Sequence, residues 1–408
     1  MPEIFRISGM HISNIIYKGD HDEATIKQIQ NCATDEYAQH AVLCADGHKG
    51  WNMPIGGVVA YENHISPAGV GFDIACGNKA VQLNVTYDQI KDDLAKIADE
   101  IFASLSFGVG RVNNERVEHD VFNDAAWRNV NFLRKTQSLM PLAREQLGTI
   151  GSGNHYVDVF KDEKDCVWVD IHFNSRGLGH KIATEFITQA GANPNGNMDD
   201  PPCLLDVNTS LGEDYIQAMN LAGRYAYAGR DWVCQKVASI LGAQIVEEIH
   251  NHHNFAWKEN HFGSDYWVVR KGATPAAPGQ KGFVGGSMGE NSVILEGVDT
   301  EESAKMLYST VHGAGRVLSR TQAAGKTRWV NGEKIRVSEG LVNMDNVLKN
   351  LSESGVILRG GGADEAPEVY KRLPEVLAHH GNTIKVVHQL SPLIVCMAGS
   401  EIRDPYKD

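Results

Sequence analysis

A carboxylate and a thiol lie three residues apart in a glycine-rich segment, residues 69–77. They belong to Asp73 and Cys76, and a turn rich in glycine lets both side chains face one cation. Cysteine binds metals as the thiolate, which can bridge two ions, while a carboxylate suits harder divalent metals. The segment therefore indicates a metal site with sulfur and oxygen ligands. The alternative is an ordinary buried thiol beside a solvated aspartate.

Histidines that could complete such a site stand at the ends of strand-like runs. His155 enters one apolar run after Gly-Ser-Gly-Asn, and His172 lies at the end of the next run. If the two runs pair as neighbouring strands, both imidazoles reach one edge of a sheet. A third run contains His250, His252 and His253, of which at most one or two can serve one ion because neighbours on a strand alternate faces. A histidine that only packs in the core is the alternative at each position.

A further histidine, His312, precedes a segment suited to phosphate. Gly313 and Gly315 let a phosphate approach backbone N–H groups, and the guanidinium groups of Arg316 and Arg320 match its oxygens. A neutral imidazole at such a site can be a metal ligand, a base or a nucleophile at phosphorus. The alternative is a glycine-rich turn that opens a helix with solvated arginines.

Several familiar motifs are absent or incomplete. The sequence has no G-x-G-x-x-G, so a Rossmann-type dinucleotide site is not indicated, and it has no H-E-x-x-H. Residues 325–327 match only the end of a Walker A motif, because Arg320 stands where the motif has glycine. Residues 285–289 match G-x-S-x-G, but a strand-like run follows them where a serine hydrolase needs a helix.

The elements that must position these residues interleave without strict alternation. Apolar runs broken by glycine and proline predict strands within residues 41–85, and other strands are predicted at 155–160, 166–172, 266–270, 292–296 and 384–397. Helices are predicted at 88–105, 122–147 with a break at Pro141, 213–241, 301–309, 341–351 and 367–379. The pattern predicts a mixed α/β fold, of the α+β kind, with helices around mixed sheets. We expect one large domain over residues 1–408, in which the Gly/Pro/Asn/Asp-rich residues 191–210 form a loop insertion; a domain boundary at this loop is the alternative.

Composition and charge exclude several classes of protein. Of the 408 residues, 42% are hydrophobic and 22% are charged, so a sizeable core is available and wholesale disorder is excluded. The net charge of −13 excludes a protein that coats nucleic acid or an anionic membrane by bulk charge, although a local basic groove remains compatible with it. Seven scattered cysteines without a C-x-x-C pair indicate a reducing compartment. Because residues 1–6 carry no signal pattern and the apolar stretches are short, we expect a cytoplasmic location and no membrane partner.

In their order along the chain, these segments resemble the RtcB family of RNA ligases, from about Ala45 to Gly399. The resemblance implies an RtcB-like fold with a single large catalytic domain. It also implies an enzyme that joins an RNA 3′-phosphate or 2′,3′-cyclic phosphate end to a 5′-hydroxyl end, in RNA repair or tRNA splicing. Two Mn²⁺ ions and GTP are the implied cofactors, and RNA with those ends, GTP and an optional protein activator are the implied partners.

The resemblance assigns the chemistry-bearing residues to roles. The ligands of one ion would be Asp73, Cys76 and His155, and those of the other Cys76, His172 and His253. His253 is chosen over His252 because the family places the ligand directly before an asparagine. His312 corresponds to the nucleophile that becomes covalently guanylylated, and Asp46 and His48 to residues that support the active site.

Contacts to the nucleotide and to RNA are implied in the same way. The nucleotide contacts would be Asn154, Asp158, Ser287, Met288, Gly289, His312, Gly313, Ala314, Gly315 and Tyr370. Arg176, Arg316 and Arg320 resemble arginines of the RNA and phosphate groove. Asp158 stands where many members have glutamate, and Ala398 stands where many have lysine, so the pocket for the base differs from the family pattern.

Two other functions fit the same residues. A metal-dependent phosphoesterase with this cluster would hydrolyse terminal or cyclic RNA phosphates without joining the ends. A non-catalytic RNA-binding protein would keep the fold but would have no need of a complete set of ligands and a nucleophile. In the ligase, His312 would attack the α-phosphorus of GTP, the nucleotide would pass to the RNA 3′-phosphate, and the 5′-hydroxyl would displace GMP.

Overall fold

The structure is a computed structural model that describes residues 15–330 and 333–402. It has the mixed α/β fold that the sequence predicts. The strands are β1 (Ile15–Tyr17), β2 (Ala38–His48), β3 (Ile55–Tyr61), β4 (His64–Ile65), β5 (Gly77–Thr86), β6 (Tyr156–Lys161), β7 (Cys166–Phe173), β8 (Leu205–Asp206), β9 (Ile245–His252), β10 (Asn254–His261), β11 (Ser264–Lys271), β12 (Ala273–Pro275), β13 (Lys281–Val284), β14 (Ser292–Gly297), β15 (Ser309–Val311), β16 (Thr327–Val330), β17 (Glu333–Arg336), β18 (Ile357–Gly361) and β19 (Ile384–Gly399).

Helices cover the sheets and fill the connections between strands. The α-helices are α1 (Glu23–Cys32), α2 (Pro67–Val70), α3 (Tyr87–Ile90), α4 (Leu94–Ser104), α5 (Ala126–Asn129), α6 (Asn131–Lys135), α7 (Leu139–Gln146), α8 (Arg176–Gln189), α9 (Ser210–Ile240), α10 (Glu301–Lys305), α11 (Arg320–Ala324), α12 (Met344–Glu353) and α13 (Leu373–Ala378). Short 3-10 turns occur at Asp120–Asn123, Ala363–Glu365 and Pro367–Val369.

The larger sheet runs in the order β13-β14-β19-β6-β7-β5-β9, with β18 beside β19. Its neighbouring strands are antiparallel except for the β18–β19 pair. The central strand β7 is buried along nearly its whole length, as expected for a strand covered on both faces. The long helix α9 packs against it, and Val233 and Val237 share a core with Val169 and Ile171.

The second large sheet runs in the order β1-β2-β3-β11-β10. The chain passes from one sheet to the other through a single residue, since β9 ends at His252 and β10 begins at Asn254. That residue is His253. A histidine that the sequence identifies as a candidate ligand therefore lies where the two large sheets meet.

The predicted helices form with different boundaries. The stretch 88–105 is split into α3 and α4, and its predicted apolar face is buried throughout, at Ile90, Leu94, Ile97, Ile101 and Leu105. The stretch 213–241 is confirmed as α9, which begins earlier because the Thr209 side chain accepts the Gly212 N–H and caps the helix.

The prediction that Pro141 breaks a helix over residues 122–147 is wrong. Pro141 lies in the first turn of α7, where a backbone N–H would have no helical partner, so proline is tolerated there. The stretch is instead divided into a 3-10 turn and the short helices α5, α6 and α7.

The loop predicted at residues 191–210 connects α8 to α9 and contains the two-residue strand β8, which pairs with β4. Ile182 and Phe186 of α8 share one hydrophobic core with Tyr215 and Ala218 of α9. The loop therefore lies between two helices of the same core. None of the helices in the described part of the chain is long and apolar enough to cross a membrane.

Candidate active site

Four neighbouring strands of the larger sheet bring the predicted metal ligands to one edge. Gly77, the first residue of β5, pairs with Phe173 of β7 on one side and with His252 of β9 on the other. Cys76 comes directly before Gly77, so it lies between the ends of β7 and β9. On the next strand, Tyr156 pairs with His172, which places His155 at the same edge. The pairing predicted for the strands of His155 and His172 is confirmed.

The ligand atoms form two groups that share the Cys76 sulfur. One group contains Cys76, His172 and His253, the other contains Asp73, Cys76 and His155, and the ligand atoms within each group all lie within 4.8 Å of one another. Cys76 Sγ is 3.2 Å from His172 Nε2 and 3.6 Å from His155 Nε2. A tetrahedral ion bound to one sulfur and one imidazole nitrogen separates those atoms by about 3.5 Å. The spacing therefore fits divalent ions that share one sulfur.

The protonation preferences of these groups suit metal binding. Burial lowers the pKa of His172 and of His253 well below the usual value, so both imidazoles are neutral and offer a lone pair. Burial, followed by the nearby charge of Asp73, raises the pKa of the Cys76 thiol, so the thiolate needs a cation beside it. Within the described residues, the buried His253 Nδ1 atom has no hydrogen-bond partner. A buried polar nitrogen without a partner is costly, and a metal ion in this cluster would compensate that cost.

Asparagine and arginine side chains hold the ligands in place. Asn174 donates a hydrogen bond to the Asp73 carboxylate, and Asn254 donates to the Asp73 backbone oxygen at 3.2 Å. The Arg176 guanidinium lies 3.4 Å from His155 Nδ1 and donates to the Asn174 side chain at 2.8 Å. These contacts orient the carboxylate and the imidazole before an ion arrives.

A fully buried arginine, Arg230 of α9, contacts two of the three neighbouring histidines, His250 and His252. Its guanidinium donates to His250 Nε2 and lies against His252 Nδ1, each at 2.9 Å. It also donates to the backbone oxygens of Ala75 and Phe173, on either side of Cys76. Of the three histidines, only His253 belongs to a metal group. Arg230 is not predictable from the sequence, because nothing in its helical context distinguishes it from a surface arginine.

His312 lies beside the metal groups because two short strands place it there. Ala273 of β12 pairs with Val311 of β15, and the Ala273 N–H donates to the His253 backbone oxygen at 3.1 Å. The ring centroids of His253 and His312 are 4.8 Å apart, in an edge-on arrangement. The fourth imidazole therefore adjoins the two metal groups.

A buried carboxylate, Asp46 of β2, orients His312. Asp46 Oδ2 accepts from His312 Nδ1 at 2.6 Å and from the backbone N–H groups of His312 and Gly313 at 3.0 and 3.3 Å. Burial alone would raise the pKa of Asp46, but the charge of His312 and its hydrogen bonds lower it, so the carboxylate is ionised. In the neutral form of His312, an ionised acceptor at Nδ1 keeps the proton on that nitrogen and leaves the Nε2 lone pair free.

His48 lies in the same segment and is neutral. Its Nδ1–H donates to the Asp46 backbone oxygen at 3.0 Å, and burial lowers the pKa of His48 to about 4. Its Nε2 therefore also carries a lone pair at neutral pH. His48 and His312 line one cavity, so both imidazoles are available to a bound molecule.

The cavity has a volume of about 700 Å³ and joins the metal groups to the predicted nucleotide residues. The predicted site residues that line it are Asp73, Cys76, His172, His253, His48, His312, Asn154, Asp158, Ser287, Met288, Gly313, Ala314, Gly315, Arg316, Arg320 and Tyr370. Gly289 is not among the lining residues and lies against Leu351. Arg176 and His155 do not line the cavity either, and they lie at the side of the metal groups.

Arginines and acids organise the wall around Tyr370. Arg316 donates to the Tyr370 hydroxyl at 3.1 Å and lies over its ring, 5.2 Å from the centroid. Arg320 bonds the carboxylates of Asp364 and Glu365, and the Tyr370 hydroxyl donates to Glu365. The tyrosine ring is thus fixed with one flank on the cavity, and both arginines on the same wall are paired with carboxylates.

Asp158 forms part of the cavity wall as one of two neighbouring carboxyl groups. It pairs with Asp170 across β6 and β7, and burial followed by the charge of Asp170 raises the pKa of Asp158 well above its usual range. Burial also raises the pKa of Asp170 to about 7, although Tyr156 and Asn78 donate hydrogen bonds to it. Burial beside Asp170 therefore favours the protonated form of Asp158, which can both donate and accept a hydrogen bond.

The chain matches a known protein family. Residues 28–398 match the family model described as tRNA-splicing ligase RtcB. The chain belongs to the RtcB family. The resemblance inferred from the ordered motifs is confirmed.

Relatives in bacteria and archaea share nearly the whole chain. The chain is 31% identical to the RNA-splicing ligase RtcB of Escherichia coli K12, with 88% of this chain and 90% of the relative aligned. It is also 31% identical to the tRNA-splicing ligase RtcB of Archaeoglobus fulgidus, with 91% and 90% aligned. Identity to the tRNA-splicing ligase RtcB of Nanoarchaeum equitans is 29%, with 96% and 97% aligned. The family match over residues 28–398 includes every predicted metal ligand.

Proposed function

We propose that this protein is an RNA ligase that joins a 3′-phosphate or 2′,3′-cyclic phosphate end to a 5′-hydroxyl end. It uses GTP and two Mn²⁺ ions and passes through a guanylyl group on His312. The observation that carries the proposal is the placement of His312, which is oriented by the buried Asp46 carboxylate and has its ring 4.8 Å from that of the metal-group residue His253. Names of the RtcB relatives agree with an RNA-joining activity.

The first step uses the lone pair on His312 Nε2. That nitrogen attacks the α-phosphorus of GTP, an N–P bond forms, and the P–O bond to pyrophosphate breaks. The imidazole becomes cationic, and the Asp46 carboxylate at Nδ1 stabilises the new charge. The backbone N–H groups around Gly313 and Gly315 and the guanidinium of Arg316 lie on the same cavity to receive phosphate oxygens.

The later steps return His312 to its starting form. Where the end is a 2′,3′-cyclic phosphate, water first opens the ring and gives a 3′-phosphate and a 2′-hydroxyl. An oxygen of the RNA 3′-phosphate then attacks the guanylyl phosphorus, a P–O bond forms, and the P–N bond to the imidazole breaks. The RNA 5′-hydroxyl then attacks the activated 3′-phosphorus, GMP leaves, and the neutral His48 ring on the same cavity can accept the hydroxyl proton.

Asp73, Cys76, His155, His172 and His253 are the residues that would hold the ions. A thiolate among imidazole and carboxylate ligands suits Mn²⁺, Co²⁺ or Zn²⁺, and the bound ions would neutralise phosphate charge as Lewis acids. The protein supplies the fixed donor set, the dry cavity wall and the orientation of His312.

RNA joining provides the test. The protein is incubated with Mn²⁺, GTP and two RNA strands, one of which carries a radiolabelled 3′-phosphate and the other a 5′-hydroxyl. We expect the label to become resistant to phosphatase in a longer strand, only when GTP is present. A partner strand with a 5′-phosphate is the control, because it has no hydroxyl nucleophile at that end. Release of the label as inorganic phosphate without joining would contradict the ligase and support a metal-dependent phosphoesterase.

The substitution Asp46→Asn tests the orientation of His312. An amide in place of the carboxylate can donate to Nδ1, which moves the ring proton to Nε2 and removes the attacking lone pair. We expect guanylylation of His312 to slow by about 100-fold or more, as for other orienting carboxylates. The rate is measured with labelled GTP, and metal content should be unchanged. Asp162→Asn is the matched control, since Asp162 is also buried but bonds Trp168 outside the cavity. An unchanged rate in Asp46→Asn would contradict the role given to this carboxylate.

A further inference from the structure

Aromatic rings form one wall of the cavity. The reaction steps proposed above do not use this wall. The rings of Trp51 and Phe72 have their centroids 4.8 Å apart, and Phe72 stacks on His180 at 5.3 Å. We call these three residues the aromatic wall. Trp51 and Phe72 are half-buried, and both line the cavity. Part of each ring is therefore open to a molecule bound there.

The aromatic wall is held from several sides. The Lys271 amine donates to the Trp51 backbone oxygen at 2.5 Å. The Asn52 backbone N–H donates to Met198 O at 2.7 Å, and the Asn52 side chain donates to Asp200 O at 2.6 Å, so the loop before α9 holds the same segment. A platform that is already ordered loses little entropy when a flat ligand stacks on it.

The aromatic wall is close to the reacting groups but separate from the predicted nucleotide pocket. Phe72 directly precedes the metal-group residue Asp73, and Gly272, next to Lys271, packs against the His312 ring. Trp51 and Phe72 pack on the core that contains α8 and α9. Met288 and Tyr370 belong to a different core, with α12 and the end of β19. A guanine near Tyr370 therefore leaves the aromatic wall available.

Lysine side chains lie beside the rings, together with carboxylates. Lys49 and Lys271 line the same end of the cavity as Trp51, and Lys49 is paired with Asp199 at 3.0 Å. Aromatic faces beside lysines are the usual means of binding single-stranded nucleic acid without regard to sequence, because every base has a stacking face and every nucleotide has a phosphate.

We infer that the aromatic wall stacks the terminal nucleobase of an RNA end while that end is joined. The inference rests on the proposed function, because it assigns part of the same substrate. The base can belong to the 5′-hydroxyl end or to the 3′-phosphate end, since each terminal base is one ribose away from a reacting atom. Stacking at this wall is independent of base identity, so it serves ends of different sequence.

The test compares normal and abasic RNA ends with protein that has already been guanylylated. A tetrahydrofuran abasic nucleotide replaces the terminal nucleotide of the 5′-hydroxyl strand in one arm and of the 3′-phosphate strand in the other. In the wild-type protein we expect one arm to lower kcat/KM for RNA by about tenfold, the size of one base–aromatic stack. The arm that shows the loss identifies the end that stacks.

Variants of Trp51 test whether that loss of kcat/KM arises at the aromatic wall. Trp51→Leu should lower kcat/KM for normal RNA by about the same factor, and the abasic end should cause no further loss in this variant. Trp51→Phe, which keeps an aromatic face, should stay near the wild type. Trp267→Leu is the matched control, since Trp267 packs half-buried on the same core but does not line the cavity.

The outcomes separate this inference from the proposed function. Guanylylation of His312 should be unchanged in Trp51→Leu, and this also shows that the variant is folded. If Trp51→Leu weakens GTP use instead, the wall binds the nucleotide and the inference is overturned. Full activity on abasic RNA in both arms would overturn it without involving any variant. Absence of guanylylation in the wild-type protein would contradict the proposed function itself.

Discussion

We expect His312→Ala to abolish covalent labelling of the protein by GTP and to leave the metal content near normal. The nucleophilic lone pair is lost with the imidazole, and no other histidine on the cavity has a buried carboxylate at its second nitrogen within the described residues. The metal content should remain because His312 belongs to neither metal group. RNA joining should fall below detection, since every later step needs the guanylyl group.

Two measurements on the same sample check this result. Labelling with radioactive GTP followed by acid treatment reports the acid-labile phosphorus–nitrogen bond, and elemental analysis reports the ions. His40→Ala is the matched control. His40 lies on β2 of the second large sheet, packs against Phe262 and does not line the cavity. If His312→Ala lost its metal together with the labelling, His312 would be a ligand rather than the nucleophile.

Cys76→Ala should release both ions, and with them all labelling and joining. Its sulfur is the one atom common to the two metal groups, so its removal takes a ligand from each ion at once. A metal site that loses one thiolate of three or four ligands binds far more weakly. We expect elemental analysis after dialysis to fall from two ions per chain to almost none.

A second buried cysteine provides the control for this substitution. Cys234→Ala removes a thiol that is fully buried in α9 and contacts only the Lys79 backbone oxygen among the hydrogen-bonding atoms of the described chain. It should keep both ions, although it creates a cavity of similar size. Two tightly bound ions in Cys76→Ala would refute a shared sulfur and assign each ion a separate set of ligands.

The grouping of the candidate metal ligands could be predicted because it depends on local features. Asp73 and Cys76 share one turn, and His155, His172 and His253 stand where apolar runs begin or end, which is visible without coordinates. Antiparallel pairing of adjacent strands then brings such residues together. The strand β7 and the long helix α9 were predictable for the same reason, since burial gives β7 a continuous apolar run and gives α9 a helical period.

Other residues could not be predicted because long-range packing decides their roles. Arg230 becomes important only when α9 crosses the ends of β7 and β9, and Lys271 only when β11 passes the Trp51 loop. The division of residues 122–147 into short helices has the same origin, because tertiary contacts override a weak helical preference. Sequence motifs therefore identify ligands better than the side chains that orient them.

The most direct test of the account is to locate the nucleotide on the wild-type protein. The protein is incubated with Mn²⁺ and GTP, digested under conditions that preserve phosphorus–nitrogen bonds, and examined by mass spectrometry. We expect a GMP adduct on the peptide that contains His312, and on that histidine alone. A nucleotide attached to another residue, or a protein that carries no nucleotide while both ions are bound, would contradict it.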